Sequence, residues 1–425
     1  VSNGLIFVHI AAYRDPELVP TILDCIANAR NPDRIRFGVV WQHAPEERIG
    51  AIAHLKNLRL LDVPHTESRG ACWARALGQT LYNGEEFYLQ LDSHHRFAKG
   101  WDESLKNMLV DLEKDGIKKP VITGYTPHYD PANDPGGRAD RILTIGFGAF
   151  VPDSVLSTAS HEAKGQETAS RPFRARFLAA GLIFARGSFV SEVPYDGNLY
   201  FQGEELNLGI RAFTHGWELF HPHRIVLWHY YTREGKPRHW TDHAHATLND
   251  ESLRRLKCLL SVDGHSRGDV AWGKTGLGQA RTLRQWEHYT GIDLSLRRLT
   301  RDCLNNVPPT ANWDRPMNEE TWWSMLLARY EHTLEITSGY LCHDDYDFIY
   351  VGFDRKDGSN IHCRNITGDQ LKDMLSKRED PETVIPVRSE FFSDEVPHRW
   401  AFWPHSKSRA WTQRLCGTMP VHTRK

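Results

Sequence analysis

The first hundred residues alternate short apolar runs with stretches of helical spacing, and this alternation restricts the fold more than any other feature of the chain. LIFVHIAAY (5–13) is an apolar run of strand length. Pro16 then opens PELVPTILDCIANA, whose apolar residues recur at helical intervals. IRFGVVWQ (35–42), LRLLDV (58–63) and FYLQLD (87–92) read as three more strands. Between the last two, SRGACWARALGQTLY predicts a helix with Ser68 as its cap. Strand–helix alternation of this kind predicts an α/β fold, a mostly parallel sheet with helices on both faces. Ligands of such sheets bind beyond the carboxyl ends of the strands, and Asp92 stands at one.

From about 119 to 230 the pattern is mixed. VITGY, ILTIGFGAF and RFLAAGLIFA read as strands, followed by a helix from about 204 to 215 and strands near 217–228. The segment 126–140, rich in Pro, Gly and Asp, reads as an exposed loop. Helical patterns dominate from about 245 to 336, in ESLRRLKCLL, GQARTLRQWEHYTG and ETWWSMLLARYEHTL. After Tyr340 short strand candidates take over, among them YDFIYVGF, NIHCRNI and TVIPV. The predicted organisation is a catalytic α/β domain over 1–245, a helical extension over 246–338 and a small β-rich accessory domain over 339–425.

Composition narrows the partners. The 425 residues are 40% hydrophobic and 25% charged with a formal net charge of −2, so no global field points to nucleic acid or an acidic membrane. No apolar run approaches the ~20 residues of a membrane helix, and no basic segment with a signal-like apolar core opens the chain. The first strand begins almost at residue 4, which leaves room for native residues ahead of Val1. Seven dispersed cysteines form no CxxC pair, as expected of reduced thiols in a cytoplasmic protein.

The chemistry concentrates in two places. Asp92-Ser93-His94 ends one apolar strand on two metal-competent side chains, and RIVLWH (224–229) ends another on His229. A carboxylate with two imidazoles and open positions suits Mn²⁺ or a similar ion better than Mg²⁺, and two diphosphate oxygens would fill those positions. Glu204 and Glu205 follow Gly203 at a predicted helix start, where the macrodipole favours anions. Competing motifs are weaker. GDVAWGKT (268–275) satisfies a phosphate-loop pattern, but HSRG precedes it where an apolar strand is needed. HWTDHAH (239–245) would serve a zinc hydrolase with His94 or His95, but lacks an HExxH-like general base. Fourteen Trp and fourteen Tyr would suit a noncatalytic sugar-binding protein, which would not need paired carboxylates together with a metal site. NLYFQG (198–203) looks like a protease tag site but lies mid-chain and is read as native.

AAYRDPEL (11–18), VVWQ (39–42), Ala74-Arg75, LDSHHRF (91–97), AAGLIFARGSFVSEVPYD (179–196), FQGEELNLGIRAFTHGWELFHP (201–222) and Trp228-His229 occur in that order, and together they resemble glycosyltransferase family 60. Its best-known members are cytoplasmic hydroxyproline N-acetylglucosaminyltransferases that modify an adaptor subunit of SCF ubiquitin ligases. A more distant similarity runs to the polypeptide N-acetylgalactosaminyltransferases, which carry Asn where this chain has Glu205. The resemblance implies a GT-A nucleotide-sugar-binding fold, with UDP-GlcNAc as donor and a protein hydroxyl as acceptor; the alternative within the same class is transfer of another UDP-sugar to a glycan or peptide. It implies Asp92, His94 and His229 as metal ligands, with Glu204 and Glu205 beside the donor sugar. Ala12, Tyr13 and Arg14 would seat the uridine, Arg75 would reach the diphosphate, and Ala180-Gly181 would let the backbone approach the sugar. Tyr230, Tyr231 and Arg233 would form a lid over the phosphates. The implied reaction retains anomeric configuration, by front-face attack or by double displacement through Glu204.

Overall fold

The computed structural model describes residues 4–151, 154–163, 165, 168–315 and 317–419. The strand–helix alternation appears as β1 (Ile6–Tyr13), α1 (Leu18–Asn28), β2 (Ile35–His43), β3 (Leu58–Pro64), α2 (Ala71–Gln79), β4 (Phe87–Leu91), β5 (His95–Phe97) and α3 (Trp101–Lys114). Next come β6 (Pro120–Thr123), β7 (Leu143–Val151), β8 (Val155–Glu162), β9 (Phe173–Arg174), β10 (Leu182–Arg186), α4 (Phe189–Glu192) and α5 (Glu204–Thr214). β11 (Glu218–His221), β12 (Leu227–His229), α6 (His239–Asp242), α7 (Ala246–Leu260) and α8 (Leu283–Thr290) follow.

The main sheet runs β3-β2-β1-β4-β10-β6-β11-β9. The first four strands are parallel, β10 is antiparallel to both neighbours, and β11 is again parallel to β6. This is the α/β sheet that the strand–helix alternation predicts, with β10 making it mixed. The period-2 alternation of β1 serves two cores. Ile6, Val8, Ile10 and Ala12 pack with Ile22 of α1 and with Trp101 and Leu105 of α3. Phe7 on the other face joins Cys72 of α2, Phe189 of α4 and Leu208 of α5.

Two local expectations change. Ser68 does not cap α2, because its hydroxyl donates to Gln42 Oε1; the N-cap is Gly70, whose φ of 109° only glycine adopts easily. In RFLAAGLIFA (176–185) the strand Leu182–Arg186 takes up only the last four residues. The backbone before it is drawn off by side chains: Ala179 N–H donates to Thr123 Oγ1 (2.9 Å) and Ala180 O accepts from Gln90 Nε2 (2.8 Å).

The chain divides into two units, residues 1–296 with 302–319, and 297–301 with 320–425. All the elements above, including α7 and α8, belong to the first. In the second, the strands Leu326–Thr337 and Val384–Ser393 pair antiparallel, and Tyr346–Asp354 is flanked by Asn360–Ile366 and Arg399–Ser406. ETWWSMLLARYEHTL, expected to be one helix, is helical only over Glu319–Met325. Beyond it His332, Leu334 and Ile336 point inward while Glu331, Thr333 and Glu335 are exposed. That period of two decides for strand.

Candidate active site

The turn Asp92-Ser93-His94 hangs from the end of β4 and is pinned from two sides. Thr21 of α1 donates its hydroxyl to Ser93 O (2.9 Å) and accepts from His95 N–H (3.0 Å). Asp15, just past β1, accepts from Ser93 Oγ (2.5 Å) and pairs with His94 Nδ1 (2.7 Å). β12 pairs antiparallel with β5 and sets His229 opposite His95. The two distant strand ends read from sequence therefore meet.

They meet at a cavity of about 660 Å³, whose wall includes Tyr13, Arg75, Asp92, His94, Ala180, Gly181, Glu204, Glu205, His229, Tyr231 and Arg233. Arg75 is buried in that wall, and its guanidinium is engaged by two carboxylates. Nη2 donates to Asp92 Oδ1 (2.5 Å), and Nε lies 3.0 Å from Glu204 Oε1. His229 Nε2 donates to Asp92 Oδ2 (3.1 Å). Burial pushes the Asp92 carboxyl up, but the His229 hydrogen bond and the Arg75 charge outweigh it and hold it well below the usual range. Glu204 differs: burial outweighs Arg75, and its pKa is raised. Glu205 Oε1 accepts from Ala180 N–H (2.9 Å) and Oε2 from the Tyr125 hydroxyl (3.1 Å). Burial still lifts it to about 7.

The other predicted residues take distinct places. Ala12 is fully buried, with its carbonyl accepting from Gln42 Nε2 (3.1 Å). Tyr13 OH and Arg14 Nη1 both donate to Asp242 Oδ2, at 2.7 and 3.0 Å, which fastens α6 to the end of β1. Tyr231 stands edge-on to His229 at 4.1 Å and donates to Thr126 O (2.7 Å). Arg233 lies 3.4 Å from Asp15 Oδ2. At Gly181 a Cβ would sit 3.2 Å from Asp92 Oδ2, so a larger residue would press on that carboxylate.

The donor chemistry fits a divalent cation. Asp92, His95 and His229 bring donor atoms within 4.8 Å of one another, the one such group among the described residues. Both ring nitrogens of His95 and Nδ1 of His229 are buried without hydrogen-bond partners, a costly state unless a ligand takes them. His94, expected as a ligand, lines the cavity with its ring 4.6 Å from that of His229. Its Nδ1 contact with Asp15 is of the kind that orients metal-bound imidazoles.

Several residues around the site carried little signal in sequence. Asp15 follows the first strand in an Arg-Asp-Pro turn, and Tyr125 belongs to a strand candidate, but their contacts are long-range. A buried chain runs from His9 through Tyr88 OH and Gln90 to Tyr195 OH and Ala180 O. Single polar residues inside apolar strands were its only trace. The competing motifs dissolve. In GDVAWGKT the Thr275 hydroxyl donates to Trp272 O (2.8 Å) and Lys274 O accepts from Arg211, so the loop packs against α5. In HWTDHAH, His239 stacks on His243 at 4.1 Å and pairs with the Tyr200 hydroxyl (2.7 Å).

Among solved structures, GalNAc-T7 with UDP, GalNAc and Mn²⁺ is similar at 15% identity and a TM-score of 0.43, over 67% of this chain; the match spans 54% of the GalNAc-T7 chain. Staphylococcus aureus TarS 1-349 in complex with UDP-GlcNAc is similar at 12% identity and a TM-score of 0.38, over 60% of this chain and 66% of that one. No curated protein matches. No helix among the described residues is long and apolar enough to cross a membrane. The family model for Glycosyltransferase (GlcNAc) matches residues 5–56 and 51–295, a span that holds every residue of the cavity wall, and the chain belongs to that family.

Proposed function

We propose that the protein is a metal-dependent, retaining glycosyltransferase that moves GlcNAc from UDP-GlcNAc to a protein hydroxyl in the cytoplasm. Following the family 60 resemblance, that hydroxyl is a hydroxyproline, as on an SCF adaptor. The observation that carries the reading is the Asp92–Arg75–Glu204 chain, set beside His229 and Glu205 in one cavity beyond the parallel strands. Asp92, His94 and His229 would hold Mn²⁺ or a similar ion, with the His95 imidazole behind them. Bound there, the ion would supply Lewis acidity toward the leaving diphosphate.

The chain's own residues do the rest. Arg75 fixes Asp92 and Glu204 relative to one another and stays charged between them. Glu204 then presents a held carboxylate to a sugar centre that becomes positive only as its bond to phosphate breaks. Because Arg75 and burial occupy that carboxylate, the geometry favours Glu204 as an electrostatic stabiliser over a nucleophile. Glu205, tied to Ala180 N–H and Tyr125, would bind sugar or acceptor hydroxyls. Arg233 at the Asp15 end and Tyr231 against His229 would cover the phosphates.

The test is hydrolysis and transfer from UDP-GlcNAc and UDP-Glc, with and without Mn²⁺. UDP-GlcNAc should turn over faster and only with the ion; turnover of UDP-Glc alone would end the N-acetylhexosamine assignment. Glu204→Gln should lower kcat by ~10²-fold while calorimetry finds nearly unchanged donor binding. A normal kcat would reduce Glu204 to an acidic helix start.

A further inference from the structure

We propose that the open edge of β8 receives the acceptor, an extended polypeptide segment that adds to the β7–β8 hairpin as a third strand; this rests on the glycosyltransferase reading above. β7 and β8 form a two-stranded sheet of their own, with Thr144 opposite His161, Ile145 opposite Ser160 and Gly146 opposite Ala159. Which groups face outward follows from two bonds. Ala163 N–H donates to Ile142 O (3.2 Å), so the mutually bonded pairs recur every second residue from there, at His161 and Ala159. Ile145 N–H turns away from the hairpin to His221 Nε2 (3.4 Å). Its partner Ser160 therefore sends N–H and C=O to the opposite, open side, and Thr158 and Glu162 do the same. Among the described residues no strand pairs with that side.

Chemistry and position point to a peptide. Ser157-Thr158-Ala159-Ser160 presents only small side chains, Ser160 and Glu162 are exposed, and VLSTASHE contains neither Lys nor Pro, the usual guards of an edge strand. Such an edge binds main chain, and main-chain bonds supply affinity with little demand on the bound sequence. The edge also begins at the reaction centre. Leu156, Ser157 and Thr158 are part of the cavity wall. Thr158 Oγ1 bonds the Tyr125 hydroxyl (2.8 Å), which donates to Glu205 Oε2 (3.1 Å). A strand laid along Ser160 and Glu162 would thus bring one end to the cavity beside Glu205, with a side-chain hydroxyl entering it.

The experiment uses the whole protein, UDP-GlcNAc with Mn²⁺, and short peptides carrying a central Ser, Thr, Tyr or hydroxyproline, with transfer read by mass. Ser160→Pro deletes one outward N–H at an edge position where proline is tolerated. Donor hydrolysis, which does not involve this edge, should stay at the wild-type level and report that the variant is folded. KM for the accepted peptide should rise about tenfold, the scale of one lost main-chain hydrogen bond. N-methylation of alternate peptide amides should raise KM similarly on the unaltered enzyme. Unchanged KM in both arms overturns the proposal. So does donor hydrolysis with no peptide of any class glycosylated, or a dimer that Ser160→Pro disperses while KM holds, which would make the edge a contact between copies. Absence of hydrolysis by the wild type strikes the underlying reading and this inference with it, and is seen before any variant is made.

Discussion

His94 and His95 are adjacent imidazoles with opposite surroundings. His94 lines the cavity with one nitrogen held by Asp15, whereas His95 is fully buried with neither nitrogen paired. A ligand needs an oriented ring and an accessible lone pair, so His94→Ala should weaken Mn²⁺ binding by tenfold or more in calorimetry, on the scale of a lost metal-site contact. His95→Ala should weaken it less, and the reverse order would move the ligand role to His95. Glu205 gives a pH signature. Its folded pKa of about 7 lies above the ordinary 4.5, so the folded protein holds that proton more tightly than the unfolded chain does. Stability is therefore present at low pH and lost as pH rises from about 4.5 through 7, by at most ~3 kcal/mol. Urea unfolding of metal-free protein at pH 5 and pH 8 should show the loss, and Glu205→Gln should shrink it. An undiminished slope would mean another group titrates.

At the scale of elements, α2 lies so close to β1 that a Cβ on Gly78 would fall 2.3 Å from His9 Nε2. The ring would have to move, and His9 anchors the polar chain that ends at Ala180 O. Gly78→Ala should cost about 1–3 kcal/mol in denaturant unfolding despite the better helix propensity of alanine. A stabilised variant would show that the packing there yields freely. The same element explains what was legible beforehand. β1, β2 and β4 announce themselves because both faces are buried and their sequences are predominantly apolar, interrupted by single polar residues such as His9 and Gln90. In the strand Leu326–Thr337, MLLARY satisfies helical spacing, and pairing with Val384–Ser393 selects the alternating face of EHTLEIT.

Over the whole molecule, each unit has its own apolar core, and every residue of the cavity wall lies in the first. Val351 is fully buried in the second unit with Ile349, Phe353 and Phe402. Val351→Ala should destabilise that unit by about 2 kcal/mol through lost burial and a residual cavity. UDP-GlcNAc hydrolysis should stay at the wild-type level. A matching loss of hydrolysis would assign the second unit a part in donor turnover.

Local chemistry carried the strand ends, the metal-competent side chains at 92, 94 and 229 and the acidic pair at 204 and 205, because each depends on residue type and short-range period. Which of these meet, and in what ionisation state, depends on approaches between residues far apart in the chain. Asp92 and His229 are brought together by the pairing of β5 with β12. The family resemblance expects Arg75 to reach the diphosphate, but that it is buried between two carboxylates comes from packing alone. His95 entered the donor group, and Asp15 became the anchor of His94, through contacts with no sequence period. Burial then separates Asp92, held ionised by its partners, from Glu205, lifted to about 7. Desolvation and neighbouring charge are properties of the folded interior, which tertiary packing alone creates.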